Sequence, residues 1–345
     1  MELLGLSLAL LVLFVSFGFM VGVFFGFFGM GGSFLVTPAL LILGYPAPVA
    51  IGSSMAFVFG TAVIATLKHH DVGQVDYKLG ALMFVGIAVG IEAGKLFLFF
   101  LEALGRAELI VGLAYVLLLA AIGLIFTRNA LRQDDEGDAD DTDEEEFDDD
   151  DIPDIAKKIK SYNIPPMVTL TDGSKASMWT ISGVGGGVGV VSGFLGVGGG
   201  FIRMPAIYYL IGVPLAAAVG TSLFGALMSG AVGAFTYGLS GVIDFGVVTA
   251  LLIGSALGAR IGSAATAYVD ENDVTIYFGI MLLLASTAVA FGELATWLEM
   301  PSLETVSFVL LVGSAVFVTI VILYYGATAI REQPAAASTT PRGGD

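Results

Sequence analysis

The sequence predicts an all-α polytopic membrane protein of two homologous repeats, each of about five hydrophobic segments with a glycine-broken half-helix, followed by one C-terminal helix. Three observations predict it. Of 345 residues, 56% are hydrophobic and only 13% charged, against a usual charged share of about 25%, so the apolar surface exceeds what a water-soluble core can hide. Runs such as 3–28, 48–67, 106–127 and 304–329 each reach the roughly 20 residues that a helix needs to cross about 30 Å of hydrocarbon. Period-2 alternation is absent, which leaves helices rather than a barrel. A glycine-rich stretch also occurs twice: residues 18–38 superpose on 185–205, aligning Gly18, Gly22, Gly26, Gly29, Gly31, Gly32 and Pro38 with Gly185, Gly189, Gly193, Gly196, Gly198, Gly199 and Pro205. After a one-residue insertion the match continues through Pro46/Pro214, Gly52/Gly220, Ser54/Ser222, Asp76/Asp244, Gly86/Gly254, Gly90/Gly258 and Gly94/Gly262.

Taken in order, a first apolar helix over 3–28 ends in glycines at every fourth position. It lacks a basic leader and is too long for a cleavable signal, so it is expected to remain as a span. The apolar segment 33–44 that follows Gly31-Gly32 is short, reaching only about 18 Å as a helix. A full crossing over 48–67, a polar loop KHHDVGQVDYK and helices over 76–101 and 106–128 complete the first half. The second half repeats this order at 177–199, 200–212, 214–237, 244–268 and 273–292, with 304–329 added. The expected divisions are 1–131, a first transmembrane repeat; 132–176, an acidic cytoplasmic linker expected to be disordered; 177–293, a second repeat; 294–330, a C-terminal helix; and 331–345, a disordered tail.

The net charge of −17 is local, because residues 134–151 hold 14 of the 31 acidic residues. Self-repulsion without apolar residues reads as a solvated loop, not as a statement about partners. Lysines and arginines fall on one side if the short segments count as crossings: Lys68, Lys78, Arg128, Arg132, Lys157, Lys158, Lys160, Lys175, Arg331 and Arg342 inside, Arg106 outside. That bias favours repeats of inverted topology. Cysteine is absent, which excludes disulfides and thiolate chemistry. His69 and His70 are expected in an exposed loop, without the further ligands a metal site needs. GIEAGK at 90–95 is one residue too short for a phosphate loop and lies within an apolar helix. No G-x-S-x-G or H-E-x-x-H motif is present. The chain reads as a non-enzyme without cofactor or metal and with no nucleic-acid partner.

Glycines at every fourth position let helix backbones approach closely, the small-residue packing of membrane helices; Gly86/Gly90/Gly94 and Gly254/Gly258/Gly262 fit that role, and ladders left on an outer face could serve a homodimer. Consecutive glycines inside a hydrophobic span are different, because they weaken the helix and bare backbone amides. Lipid tolerates this only where the backbone lines a cavity or is buried in protein. Two breaks in corresponding positions of two halves point to a transporter's central site. Half-helices starting near Ser33 and Gly200 would aim N–H groups at it, suiting a small anion. The candidate ligands are Gly29, Gly31, Gly32 and Ser33 in the first copy, and Gly196, Gly198, Gly199 and Gly200 in the second. Ser53, Ser54, Thr221 and Ser222 follow in register, as direct anion contacts or as hydroxyls bonded back to their own helix.

Arg203, opposite Val36 of the first copy, is a lone intramembrane cation. It would either anchor an oxyanion through forked hydrogen bonds or bond the carbonyls of the broken helix. Glu92, Lys95 and Arg260 are expected at the interface, with Glu92 and Lys95 as i,i+3 neighbours. Asp76 and Asp244 each precede an apolar helix, as N-caps or as proton-coupling groups.

The segments GVFFGFFGMGGSFLVTPALL with GYPAPVAIGSSM, and GVVSGFLGVGGGFIRMPAIYYLIGVPLAAAVGTSL, resemble the TauE/SafE family of membrane proteins, over about 5–128 and 177–292. The resemblance implies a cell-membrane permease of two homologous halves moving small sulfur-containing anions such as sulfite, sulfoacetate or thiosulfate, without a cofactor. Ser33 departs from the third glycine of the second copy, and the long acidic linker is unusual. The competing expectations are a permease for a metal cation or carboxylate, dependent on Asp76 or Asp244, and a non-transporting membrane scaffold.

Overall fold

Helix boundaries fall where the chain supplies caps and breakers. The computed structural model describes residues 2–3, 5–28, 34–71, 76–135, 165–169, 175–207, 211, 215–266 and 271–336. The described helices are α1 (Leu8–Phe28), α2 (Val36–Ile42), α3 (Ala47–Asp71), α4 (Tyr77–Ala103), α5 (Ala107–Asp135), α6 (Met178–Leu195), α7 (Gly200–Ala206), α8 (Leu215–Leu239), α9 (Phe245–Ala265), α10 (Glu271–Leu298) and α11 (Pro301–Ala336). Among the described residues, strands form two short antiparallel hairpins, β1 (Glu2–Leu3) with β2 (Leu6–Ser7) and β3 (Met167–Thr169) with β4 (Lys175–Ser177). The Asp76 carboxylate accepts from Leu79 N at 2.9 Å and caps α4; Asp244 accepts from Gly246 N and Val247 N at 3.0 and 3.1 Å and caps α9. Pro301 opens α11, where its missing N–H costs nothing.

Several boundaries differ from expectation: α5 runs on to Asp135, α10 to Leu298 and α11 from Pro301 to Ala336, and the β3–β4 hairpin falls largely within the stretch expected to be disordered. The first helix begins at Leu8, because β1 and β2 occupy the residues before it. The loop expected at His69-His70 is helical, since α3 runs to Asp71; polar residues at the end of an apolar helix prolong it past the hydrocarbon edge as readily as they end it. The first glycine break, Gly29, Gly31, Gly32 and Ser33, lies outside the described residues, as do most of the acidic linker and residues 337–345.

Eight described helices are long and apolar enough to cross a membrane. Their outward side chains are apolar: Val89, Leu117, Phe235 and Leu257 are 61–67% exposed, which an apolar solvent accepts and water does not. The chain is a multi-pass integral membrane protein.

Backbone contacts give the direction of each helix. Gly18, Gly22 and Gly26 of α1 lie on Leu251, Ser255 and Ala259 of α9, so α1 and α9 run parallel. Gly185, Gly189 and Gly193 of α6 lie on Met83, Ile87 and Ile91 of α4 in the same sense. By contrast α3 and α8 are antiparallel, with Gly52 on Tyr237, Gly233 on Met55 and Gly230 on Phe59. So are α5 and α10, with Gly112 on Glu293 and Gly123 on Gly279 and Leu282. Gly60 on Leu252, beside the Ser53–Asp244 contact, sets α3 parallel to α9. Hence α3 starts from the same face as α1, and the chain between them, which includes α2, has returned to that face. The same holds for α6 and α8, both parallel to α4 through Gly80 on Phe224 and the bond from Lys95 Nζ to Thr236 O, with α7 on the return.

The approach at these contacts leaves no room for a side chain. A methyl on Gly90 would lie 2.2 Å from Gly186 O, and one on Gly258 2.0 Å from Phe19 O. Gly187 has nothing within 4 Å of the equivalent position. Gly90→Leu and Gly258→Leu are therefore expected to destabilise the fold by about 3 kcal/mol or more and to lose the monodisperse peak in detergent gel filtration, whereas Gly187→Leu keeps it. Equal behaviour of all three variants would show that the glycine faces do not set the packing.

Candidate functional site

The second break is built from two left-handed glycines. Gly196 (φ 74°) ends α6 and Gly199 (φ 71°) precedes α7, a conformation that only glycine adopts without cost. Leu195 to Gly200 are all buried. A helix that stops inside the layer leaves carbonyls without intrahelical partners, and two tyrosines meet that need. Tyr237 Oη donates to Gly193 O at 2.6 Å, and the Tyr115 hydroxyl donates to Leu195 O. Neither tyrosine was foreseen from sequence, because each comes from a helix distant in the chain.

Arg203, on α7, is fully buried. Burying a guanidinium demands that its donors be used, and most are. Nη1 donates to Ser222 O at 2.9 Å, Nη2 to Gly198 O at 3.2 Å and to Ser229 Oγ, while Nε has no partner. Gly225 makes this possible, since a methyl there would sit 2.6–2.9 Å from Cδ, Nε and Cζ. The cation ties the turn to α8, which is the carbonyl-bonding role open to it from sequence. Among the described residues it forms no ion pair; the one ion pair found is Glu92–Lys95, at 3.7 Å. Arg260 is exposed.

The hydroxyls expected beside the breaks divide into roles. Ser53 Oγ accepts from Asp244 N at 2.9 Å and Thr221 Oγ1 accepts from Asp76 N at 3.0 Å. These two bonds join repeat-equivalent residues and cross between halves in opposite senses, so each half holds the capping loop of the other. Ser222 Oγ donates to Gly200 O at 3.1 Å, and Ser54 is fully buried. Asp76 and Asp244 are both N-caps held by these clasps. Two further residues belong at the turn and were missed: Thr37 on α2 and Ser192 on α6. A methyl on Gly196 would lie 2.9 Å from Thr37 Oγ1, and one on Gly199 2.7 Å from Ser192 Oγ and 3.2 Å from Arg203 Nη2. The signal available was asymmetry: Ser192 stands opposite Phe25 in the repeat alignment, and Thr37 opposite Met204.

A separate cavity of about 480 Å³ near the starts of α3, α5 and α11 is lined by Tyr45, Glu108, Glu293 and Glu304 among others. Its carboxylates repel anions.

Comparison with known proteins adds a family. The family model described as "Sulfite exporter TauE/SafE" matches residues 14–289. The chain is similar to a "Probable membrane transporter protein" of Xylella fastidiosa, 25% identical over 224 residues covering 61% of this chain and 68% of that one. It is similar also to "Probable membrane transporter protein YjnA" of Bacillus subtilis, 30% identical over 32% of this chain and 45% of that one. A third relative, a probable membrane transporter protein of Methanocaldococcus jannaschii, is 36% identical over 23% of this chain and 32% of its own length. No solved structure matches significantly.

The caps and clasps generate a prediction. Asp76→Asn keeps an acceptor for Leu79 N and is expected to leave stability and solute flux near the parent's. Asp76→Ala is expected to cost about 1 kcal/mol as a lost cap, and Thr221→Val about 1–3 kcal/mol by stranding a buried N–H, both read by thermal unfolding in detergent. Flux lost in Asp76→Asn with stability intact would instead assign this carboxyl to coupling.

Proposed function

The chain belongs to the TauE/SafE sulfite exporter family, and from that premise we propose that it is a secondary transporter moving a small sulfur-containing oxyanion, such as sulfite, sulfoacetate or thiosulfate, through the second glycine break and its counterpart in the first half. The observation that carries this reading is Arg203, a fully buried cation without an ion-pair partner among the described residues, placed against a break in a membrane helix. A polar turn of this kind inside a span is otherwise a liability. Gly196, Gly198, Gly199 and Gly200 supply the backbone of the site; Gly29, Gly31, Gly32 and Ser33 are its repeat equivalents.

The halves, 1–131 and 177–293, act in this proposal as inverted repeats that rock against each other. Support comes from the antiparallel pairing of the equivalent helices α3 with α8 and α5 with α10. An operation that carries one half onto the other must reverse direction across the membrane. Lys78 and Arg128 fall at one face and Arg106 at the other, so excess positive charge marks the first face as cytoplasmic.

Two measurements test this. Proteoliposomes holding the parent are expected to show saturable sulfite flux that thiosulfate inhibits and acetate does not, and Arg203→Gln to lower it at least tenfold while remaining folded. A folded parent that moves none of these anions would overturn the substrate reading. Since the parent has no cysteine, single cysteines at Ser240 and Ser338 report topology: an external reagent should label position 240 and spare 338. The reverse pattern would remove the inversion.

A further inference from the structure

We infer that Glu293, near the end of α10, carries the proton that couples a pH gradient to anion movement; this rests on the carrier reading above and adds the driving ion to it. Glu293 lies within a membrane-spanning stretch, Val274–Leu298, and is partly buried. An ionisable group in such a place is costly unless it is paired or used. Asp76 and Asp244 commit their carboxylates to helix caps, whereas among the described residues none forms an ion pair with Glu293. Its carboxylate is set into a notch on the facing helix, because a methyl on Gly112 of α5 would collide with Oε1 and with the carboxyl carbon. The other glycine notch of this antiparallel pair, Gly279, holds Thr127, and that hydroxyl donates to Gly123 O at 2.7 Å. One notch therefore holds a satisfied hydroxyl and the other an unpaired carboxyl.

The groups around Glu293 select what neutralises it. The cavity of about 480 Å³ that it lines is shared with Glu108 of α5, Glu304 of α11 and Tyr45 ahead of α3, while the α2 residues on it, Pro38, Leu41 and Ile42, carry no titratable group. No lysine, arginine or histidine lines it. Glu108 and Glu304 are exposed, and Glu293 is held between helices. Among the described residues no three histidine or acidic side chains are grouped so as to hold a metal ion. A proton needs no such ligand set, and it removes both the desolvation of the carboxylate and its repulsion by two like charges.

The cavity also reaches the turn. Pro38 is in its wall, and Thr37, the residue before it, packs against Gly196. Gly112 lies about one turn of α5 from Tyr115, whose hydroxyl holds Leu195 O. An anion passing between this cavity and the turn meets Glu293, which repels it when ionised and does not when protonated. Proton binding and anion binding therefore favour each other, by the same factor in each direction. The proton taken up by the carboxylate on one side is released to water on the other, so one proton moves with the anion.

Proteoliposomes test this with labelled thiosulfate, whose charge does not change across neutral pH, and with the membrane potential clamped at zero. The parent is expected to accumulate thiosulfate on the alkaline side of an imposed pH gradient, up to about tenfold per pH unit for one proton per anion, since a tenfold ratio is the same free energy on either gradient. A protonophore should abolish the accumulation. Glu293→Gln, which keeps the shape of the group, should lower accumulation to below about twofold while exchange of labelled for unlabelled thiosulfate at equal pH stays within about twofold of the parent's, because coupling is lost and the anion site is not. No pH-driven accumulation in a parent that exchanges thiosulfate, accumulation retained in Glu293→Gln, or exchange lost along with accumulation in a folded Glu293→Gln would overturn the inference and leave the carrier reading in place. A folded parent that neither accumulates nor exchanges any sulfur oxyanion would overturn the carrier reading itself.

Discussion

Everything in this molecule depends on backbones touching backbones. Lipid is as apolar as leucine, so helices in a bilayer gain little from burying leucine against leucine and must gain from close packing. Here the closest packing joins α1 to α9 and α6 to α4, where a methyl on Gly22 or Gly193 would reach within 2.5 or 2.3 Å of a facing carbonyl oxygen. Each of these tight pairs takes one helix from each half. Neither half is a closed unit, and the interior surface where they meet is where both half-helices lie.

That arrangement explains how a broken helix survives in a membrane. The turn from Gly196 to Gly199 is surrounded by protein rather than lipid, and its loose ends are met by the phenols of Tyr115 and Tyr237 and by the guanidinium of Arg203. Near-symmetry supplies the frame, and departures from symmetry supply the chemistry. Arg203 replaces a valine, Ser192 replaces a phenylalanine, and Thr37 stands where the second copy has methionine.

Much of this was legible in the chain. The glycine ladders, the second break, the capping aspartates and the intramembrane arginine are local signals, carried by residues a few positions apart. The partners were not legible, because nothing near Ser53 says that its hydroxyl meets an amide 191 residues away, or near Thr221 that it meets one 145 residues away. The hydroxyls read as ligands for a solute or as bonded to their own helix, and neither reading foresees that two of them accept from the other half's loops. Ser192 was passed over for a related reason, since within a run of glycine and valine it reads as one more small residue. Its burial without a partner is a property of the fold, not of the neighbourhood. The histidine pair was misplaced into a loop because polarity marks the edge of the hydrocarbon but does not by itself stop a helix.

The crossed clasps also bear on how the protein comes to be made. At a synthesis rate of roughly 5–20 residues per second, the 191 residues between Ser53 and Asp244 take on the order of ten to forty seconds to appear. Throughout that interval the glycine face of α1 is uncovered and the Ser53 acceptor vacant. Both must wait in the membrane for partners not yet translated.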